Sequence, residues 1–128
     1  MNTDIGLTGN VALSETVIGA AYKVANKLGA GFLEKVYENA LAFELRRAGL
    51  EVEQQKIMEV WYEDQMVGLY QADLIVNGEI VVELKAVAGL ERIHRAQCLN
   101  YLRATRLRTG LVINFGLPRI QVQRIASH

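Results

Sequence analysis

The chain alternates between two hydrophobic repeats, one of three to four residues and one of two. Between residues 12 and 28, apolar side chains recur at three- and four-residue steps, the period of a helix packed on one side. The same period returns at 32–48 and 90–105, and Gly49 suits the position just after the second of these segments. The pattern therefore predicts three helices.

Other segments are rich in β-branched and aromatic residues, which favour strands. Asn77-Gly78 lies between two of them, and this dipeptide is a strong signal for a β-hairpin. We predict the element order ααβββαββ and an α/β fold. The predicted strands span residues 51–62, 66–76, 79–87, 111–115 and 120–125.

Length and composition predict a single domain. The chain has 128 residues, of which 51% are hydrophobic, and it contains one proline. These values are typical of one globular unit with its own core. We expect one domain over residues 1–128, with the polar, glycine-containing residues 1–10 loosely ordered.

Several features predict a cytoplasmic protein. No apolar run approaches the length of a membrane span, and residues 1–10 lack the basic and apolar stretches of a secretory signal. The single cysteine, Cys98, cannot form an internal disulfide, which fits a reducing compartment. We therefore expect no membrane partner.

Charge is distributed unevenly along a chain whose formal net charge is zero. Residues 1–85 contain 7 basic and 13 acidic residues, whereas residues 86–128 contain 7 arginines and one acidic residue, Glu91. An acidic half that holds cations and a basic half that meets phosphates would suit a nuclease. The alternative is that the two halves interleave in the fold and their charges cancel.

Two carboxylates and a lysine lie in the apolar strands predicted on either side of the hairpin turn. Asp73 belongs to the first of these strands, and Glu83 and Lys85 lie on one face of the second because they are two residues apart. Ionised groups in such strands are costly to bury without a partner. A divalent cation suits the carboxylates, and the lysine suits a phosphate or an activated water. The alternative is a solvated face on which Lys85 pairs with a carboxylate.

The register of the hairpin decides whether Asp73 and Glu83 share a face. A regular two-residue turn at Asn77-Gly78 would place the two carboxylates on opposite faces, and one extra residue would bring them to the same face. We therefore predict a three-residue loop or a β-bulge between Asp73 and Glu83.

The second predicted helix carries a further acidic candidate. Glu34 lies on the apolar stripe formed by Tyr37, Leu41 and Leu45, so we expect it to be buried and to need a partner. That partner is either an arginine or a water, or it is the same metal site.

The third predicted helix has two distinct sides. Gln97 and Tyr101 are one turn apart and share a face. The other side is a stripe of arginines, which is either a solvated face or a track for a phosphate backbone. We interpret Cys98, Trp61 and Tyr62 as packing residues. The arginines of the stripe are Arg92, Arg95, Arg103 and Arg106.

The segment Gly31-Phe-Leu-Glu34-Lys-Val-Tyr37 matches the pattern Gly-x-x-Glu-x-x-Tyr. The chain thereby resembles the GxxExxY protein family, which is similar to the RecB-like branch of the PD-(D/E)XK nuclease superfamily. The resemblance runs over about residues 11–125. It also includes Asp73, Glu83-Leu84-Lys85, Gln97-x-x-x-Tyr101 and residues 111–116.

The resemblance implies a restriction-endonuclease-like fold, in which helices flank a central mixed β-sheet. It implies that Asp73 and Glu83 bind Mg²⁺ or Mn²⁺, that the Leu84 carbonyl completes the ligand set, and that Glu34 is an additional acidic ligand. Ala72 stands where the motif of the superfamily has a proline, at a position that varies within it.

The resemblance also implies roles for residues that bind no metal. Lys85 would orient the attacking water or stabilise the charge on the phosphorus centre. Gln97 and Tyr101 would position Lys85 and the nucleic-acid backbone. Apart from the resemblance, the arginine stripe makes Arg92 and Arg95 candidates for contacts with the same backbone.

The expected function is metal-dependent hydrolysis of phosphodiester bonds in DNA, or in RNA. One alternative is a non-catalytic module that keeps the nuclease fold and binds nucleic acid or protein, and another is a small-molecule metal hydrolase. No target-recognition domain is evident in the sequence. We therefore expect the chain to act with a partner protein, as a homodimer, or with little sequence preference.

Overall fold

A computed structural model describes residues 4–127, with side chains from residue 11 onward, and it confirms the predicted order ααβββαββ. The ends of the elements differ from the predicted ones by one to a few residues, apart from the start of the first helix. The elements are α1 (Asp4–Leu28), α2 (Glu34–Arg47), β1 (Val52–Tyr62), β2 (Gln65–Val76), β3 (Ile80–Lys85), α3 (Arg92–Thr105), β4 (Thr109–Asn114) and β5 (Gln121–Ala126).

The strands form one mixed sheet in the order β1-β2-β3-β4-β5. β3 and β4 are parallel, and α3 provides the crossover that a parallel pair requires. The other neighbouring strands are antiparallel. β3 belongs to the acidic half of the sequence and β4 to the basic half, so the strands of the two halves form adjacent blocks that meet at this pair. The sheet and its helices form the predicted α/β architecture.

Each face of the sheet has its own cluster of buried side chains. On one face, α1 and α2 pack Val17 and Leu41 against strand residues such as Leu84. On the other face, α3 packs Cys98 and Leu102 against a second set from the same strands. The central strands are therefore apolar on both sides, which explains their nearly continuous hydrophobic sequence.

The connection between β2 and β3 is the predicted three-residue loop. Val76 pairs with Ile80, which leaves residues 77–79 outside the ladder. Asn77 and Gly78 have φ angles of 53° and 66°, a left-handed conformation that both residue types tolerate. The Asn77 side-chain oxygen also accepts a hydrogen bond of 2.8 Å from the backbone N–H of Glu51. The prediction of one extra residue in this hairpin is confirmed.

The predicted start of α1 near residue 12 is wrong. The helix begins at Asp4, so residues 4–10, which we expect from sequence to be loosely ordered, have a helical backbone. No proline interrupts this segment, and the hydrogen-bonded turns therefore continue towards the N-terminus. Residues 1–3 lie outside the described part of the chain. Among residues 4–127, no helix combines the length and the apolar character of a membrane span.

β1 and β2 extend beyond the rest of the sheet as a two-stranded ribbon. β3 pairs with β2 only from Leu74 to Val76, so the outer part of the ribbon has no third strand beside it. Trp61 and Tyr62 lie on this outer part and are 52% and 67% exposed. The interpretation of these two aromatic residues as packing residues is therefore wrong.

Cys98 is buried beneath α3, as predicted, with 2% of its surface exposed. Burial and the nearby Glu83 carboxylate raise the pKa of the Cys98 thiol to about 12. Because the thiolate is the reactive form, we predict almost no alkylation by iodoacetamide in the folded protein at pH 8, and full alkylation in denaturant. Mass spectrometry of the two samples makes the comparison. Rapid alkylation without denaturant would contradict the packing of α3.

Candidate active site

Asp73 lies at a break in the regular alternation of side chains along β2. Ala72 packs on the α3 side and Leu74 packs on the α1–α2 side. These two residues would share a face in a regular strand, so the alternation is broken between them. Gln55, opposite Asp73 in β1, has a φ of 52°, in the left-handed region that non-glycine residues rarely adopt. The break frees the Asp73 side chain from the core.

The Asp73 carboxylate is half-buried and accepts two hydrogen bonds. The Leu84 backbone N–H donates to one oxygen at 2.8 Å, and Gln55 Nε2 donates to the other at 3.2 Å. Gln55 Nε2 also donates to Glu38 at 2.6 Å, and Lys35 Nζ lies 3.2 Å from the same Glu38 carboxylate. A continuous chain of polar contacts therefore runs from α2 through β1 to Asp73.

The carboxylate that α2 buries is Glu38, so the expectation of a buried Glu34 is wrong. Glu34 is the first residue of α2 and is exposed, because the stripe on which it lies extends past the core at the helix end. Its carboxylate accepts a hydrogen bond of 3.1 Å from the Ala86 N–H, which holds it beside the chain just after Lys85. Glu38 follows one turn later on the same stripe and is 3% exposed. The predicted helix 32–48 already contains Glu38, so its place one turn after Glu34 is visible in the sequence.

A cleft of about 750 Å³ opens between the start of α2 and the ends of the central strands. Asp73 and Glu34 both line it, and so does Leu84. Two of the predicted acidic ligands therefore meet in one solvent-accessible space, together with the residue whose carbonyl is the predicted third ligand.

Glu83 and Lys85 line a second cleft, of about 210 Å³, on the α3 side of the sheet. Gln97 and Tyr101 line the same cleft, so the structure brings these four residues together. Arg92 and Arg95 are exposed and line neither of the two clefts.

Asp73 and Glu83 link the two clefts, because they lie just past the last paired residues, Leu74 and Val82, on neighbouring strands. Burial and repulsion from the Asp73 carboxylate raise the pKa of Glu83 to about 7, against the opposing effects of Tyr70, the Asp73 backbone and Lys85. The folded protein therefore disfavours a charge on Glu83, first through burial and then through Asp73.

Tyr70 is a site residue that the sequence analysis misses. Its hydroxyl donates a hydrogen bond to Glu83, and its ring stacks on Tyr101 with centroids 3.7 Å apart. Burial and the charge of Glu83 raise the pKa of the Tyr70 hydroxyl, so it remains a donor at neutral pH. Strict alternation places Tyr70 and Glu83 on opposite faces, and only the break beside Asp73 brings them together. No local sequence signal reveals this contact.

Asn114 fixes the segment that follows Lys85. It is fully buried, and its amide nitrogen donates to Val87 O and to the Gln121 side chain at 3.0 Å each. Its amide oxygen accepts hydrogen bonds of 3.0 Å from the backbone N–H groups of Val87 and Gly116. The two loops that leave β3 and β4 are therefore joined through one side chain.

The described residues contain no group of three or more His, Cys, Asp or Glu side chains already arranged around a common ion position. The chemistry of the donors nevertheless fits a hard divalent cation, since carboxylate and carbonyl oxygens are the ligands that Mg²⁺ and Mn²⁺ prefer. Burial and the Asp73 charge disfavour the ionised form of Glu83, and a cation beside the two residues would favour that form.

Comparisons with known proteins identify a superfamily and a related fold. A family model described as the PD-(D/E)XK nuclease superfamily matches residues 11–125. Among solved structures, the chain is similar to the protein of the structure described as "Crystal structure of SSO0001", with a TM-score of 0.54 and 23% sequence identity. The match covers 73% of this chain and 50% of that chain, so the chain spans about half the length of that protein. Among curated proteins, none matches significantly. The structural similarity supports the fold alone.

The raised pKa of Glu83 predicts a characteristic pH dependence of stability. The folded protein holds a proton at Glu83 more tightly than the unfolded chain, so this contribution to stability is complete below about pH 4.5 and is lost as the pH rises through about 7. Glu83→Gln should remove this loss. Relative to the unmutated protein, we expect the variant to gain roughly 2 kcal/mol between pH 5 and pH 8.

Urea unfolding at pH 5 and pH 8, without divalent metal, measures this difference. An exposed control, Glu79→Gln, should leave the pH dependence unchanged. If Glu83→Gln and the unmutated protein lose the same stability between the two pH values, Glu83 does not occupy the environment described.

Proposed function

Since this chain belongs to the PD-(D/E)XK nuclease superfamily, we propose that it is a divalent-metal-dependent nuclease that hydrolyses phosphodiester bonds of DNA, with RNA as the second candidate substrate. The observation that carries the proposal is the position of Asp73 and Glu83 just past the last paired residues of two buried neighbouring strands, with Lys85 beside Glu83. By its Gly31–Tyr37 motif, we place the chain with the GxxExxY family and the RecB-like branch.

Under this proposal Asp73 and Glu83 would hold Mg²⁺ or Mn²⁺, with the Leu84 carbonyl and Glu34 as further ligands. A bound divalent ion generates a hydroxide near neutral pH and neutralises charge on a phosphate. Glu34 and Asp73 line the cleft of about 750 Å³, which has room for the phosphate of a polymer. The carboxylates of Asp73 and Glu34 each accept a backbone hydrogen bond, which holds them close to the positions that metal ligands would need.

Lys85 is the proposed catalytic lysine, whose side chain would contact the attacking water or a phosphate oxygen. Its ammonium group forms no salt bridge within the described residues, although it lowers the pKa of Glu83 through space. A half-buried ammonium group with no ion-pair partner can orient a water or stabilise a developing negative charge. Lys85 is thus available for a phosphate oxygen.

Gln97 and Tyr101 are proposed to position the substrate backbone beside Lys85. Within the part of the chain that the structure describes, neither the Gln97 amide nor the Tyr101 hydroxyl makes a hydrogen bond. Stacking on Tyr70 fixes the Tyr101 ring, which lowers the entropic cost of using it. Arg92 and Arg95, exposed on α3, extend the same surface with positive charge for flanking phosphates.

Gln55 and Glu38 are proposed as positioning residues for Asp73. The Glu38 carboxylate accepts hydrogen bonds from both Gln54 and Gln55, and this holds the Gln55 amide against Asp73. The left-handed backbone at Gln55 is strained, and strain of this kind persists where the surroundings impose it, often at functional sites.

One observation favours a second function, a nucleic-acid- or protein-binding module that keeps the nuclease fold. The Asp73 carboxylate already accepts hydrogen bonds from the Leu84 N–H and Gln55, the Glu83 carboxylate accepts one from Tyr70, and no complete ligand cage is formed among the described residues.

As part of the main proposal, we place the protein in the cytoplasm and expect it to act as a homodimer, with a partner protein, or with little sequence preference.

A cleavage panel tests the proposed activity. We expect cleavage of single- or double-stranded DNA, or of RNA, in the presence of Mg²⁺ or Mn²⁺, and none in EDTA. Lys85→Ala should reduce the rate by about 10²-fold or more, because it removes the charge aimed at the phosphate. Lys27→Ala, an exposed lysine at the end of α1, is the matched control and should leave the rate unchanged.

Three outcomes would contradict the nuclease proposal. Binding without cleavage under either metal would favour the non-catalytic module. Activity on free nucleotides but not on polymers would favour a small-molecule hydrolase. Equal rates for Lys85→Ala and Lys27→Ala would assign the activity to a different site or to a contaminant.

A further inference from the structure

A third cleft, of about 810 Å³, lies beyond Tyr101 along α3 and is separate from the two clefts at Asp73 and Lys85. Trp61, near the end of β1, lines one side of it. Arg103 and Arg106, at the end of α3, line the other side. The cleft therefore sets an aromatic ring opposite two guanidinium groups.

Trp61 is exposed, although other apolar residues close to it in β1 pack against the core. Its neighbours Met58 and Val60 pack against the core beneath α3, but Trp61 is 52% exposed and belongs to neither core cluster. The pairing of the ribbon shifts by one residue here, because Val60 pairs with Gly68 and Trp61 with Met66, which leaves Val67 of β2 as the extra residue. A bulge of this kind bends and twists the ribbon locally, and Trp61 lines the cleft together with Met58.

The arginines in this region have no partners among the described residues. The side chains of Arg103 and Arg106 are exposed and form no hydrogen bond or ion pair there. Together with Arg108, these two residues also line an adjoining cleft. Arg103 lies in the last turn of α3, where a cation stabilises the helix end. That explanation does not cover Arg106 and Arg108, which follow the helix.

Acidic residues at the cleft limit what can bind there. Glu59 and Glu63 line it, and neither pairs with an arginine. Lys56 also lines it, but its ammonium group lies 3.0 Å from Glu53. One phosphate chain can follow the two arginines, whereas the second backbone of a duplex would meet the glutamates.

We propose that this cleft binds an unpaired stretch of nucleic acid, with a base stacked on the Trp61 indole and the adjoining phosphates held by Arg103 and Arg106. An aromatic platform beside a positive groove is the chemistry by which proteins bind single strands without strong sequence preference. The inference rests on the proposed function, because the bound strand would continue along α3 towards Lys85. Gln97 and Arg103 are six residues apart on that helix, about 9 Å, which a few nucleotides can span.

The test uses Trp61 as its own reporter, because it is the one tryptophan of the chain. In EDTA, where a metal-dependent enzyme cannot cleave, single-stranded oligothymidylate should quench the Trp61 fluorescence in a saturable titration. A blunt duplex of the same length should quench less. Anisotropy of a labelled oligothymidylate should show a roughly tenfold loss of affinity in Trp61→Ala and a smaller loss in Trp61→Phe, which keeps a stacking ring.

Matched variants distinguish binding in the cleft from binding by neighbouring residues. Tyr62→Ala removes an exposed neighbouring aromatic ring that does not line the cleft, and Arg119→Ala removes an exposed arginine that lies away from it. Both should keep the affinity of the unmutated protein, whereas Arg103→Ala and Arg106→Ala should each weaken binding. Circular dichroism of each variant shows that the fold is retained.

The outcomes distinguish this site from the nuclease proposal. Fluorescence quenching by single strands without any metal-dependent cleavage would support the cleft and contradict the nuclease. Cleavage with unchanged affinity in Trp61→Ala and Arg103→Ala would support the nuclease and overturn the cleft. Stronger binding of the duplex, or binding of an acidic peptide in place of the oligonucleotide, would overturn it as well.

Discussion

Asp73 and Glu83 lie on neighbouring strands where β2 and β3 stop pairing, and the Asp73 carboxylate raises the pKa of Glu83. Two partly buried carboxylates this close repel each other, and the strands around them are apolar on both faces. Lys85 offsets part of this charge. The rest of the site can be understood as the means by which the fold holds an acidic pair that would otherwise separate or take up a proton.

Polar groups from three directions support this pair. Gln55 and Glu38 hold Asp73 from the α2 side, Tyr70 holds Glu83 from the α3 side, and Asn114 fixes the chain after Lys85. The hydroxyl and amide donors replace water around charges that the sheet removes from solvent. These hydrogen bonds fix the orientation of the carboxylates, and under the nuclease proposal a cation would meet oxygen donors that are already oriented.

The sequence predicts the elements and their order because the apolar periods and the Asn77-Gly78 turn are local signals. It also predicts the extra loop residue, because a regular two-residue turn would place Asp73 and Glu83 on opposite faces of the hairpin. It does not predict the break in alternation at Asp73, which depends on Gln55 in a different strand. For that reason Tyr70 was missed, and the clefts on the two sides of the sheet could not be told apart. The misplacement of Glu34 has a simpler cause, since a helical wheel does not show where the helix begins relative to the core.

The account stands on the claim that the acidic pair binds a divalent cation. Thermal unfolding with and without Mg²⁺ or Mn²⁺ tests this claim most directly, with Asp73→Asn as the variant and Asp64→Asn, in the exposed β1–β2 turn, as the control. At a metal concentration of 100 times the dissociation constant, binding to the folded state stabilises it by about 2.7 kcal/mol, which would raise the melting temperature by several degrees. The account predicts this rise in the unmutated protein and in Asp64→Asn, and its loss in Asp73→Asn. A melting temperature that does not respond to either metal, or a rise of the same size in Asp73→Asn, would contradict it.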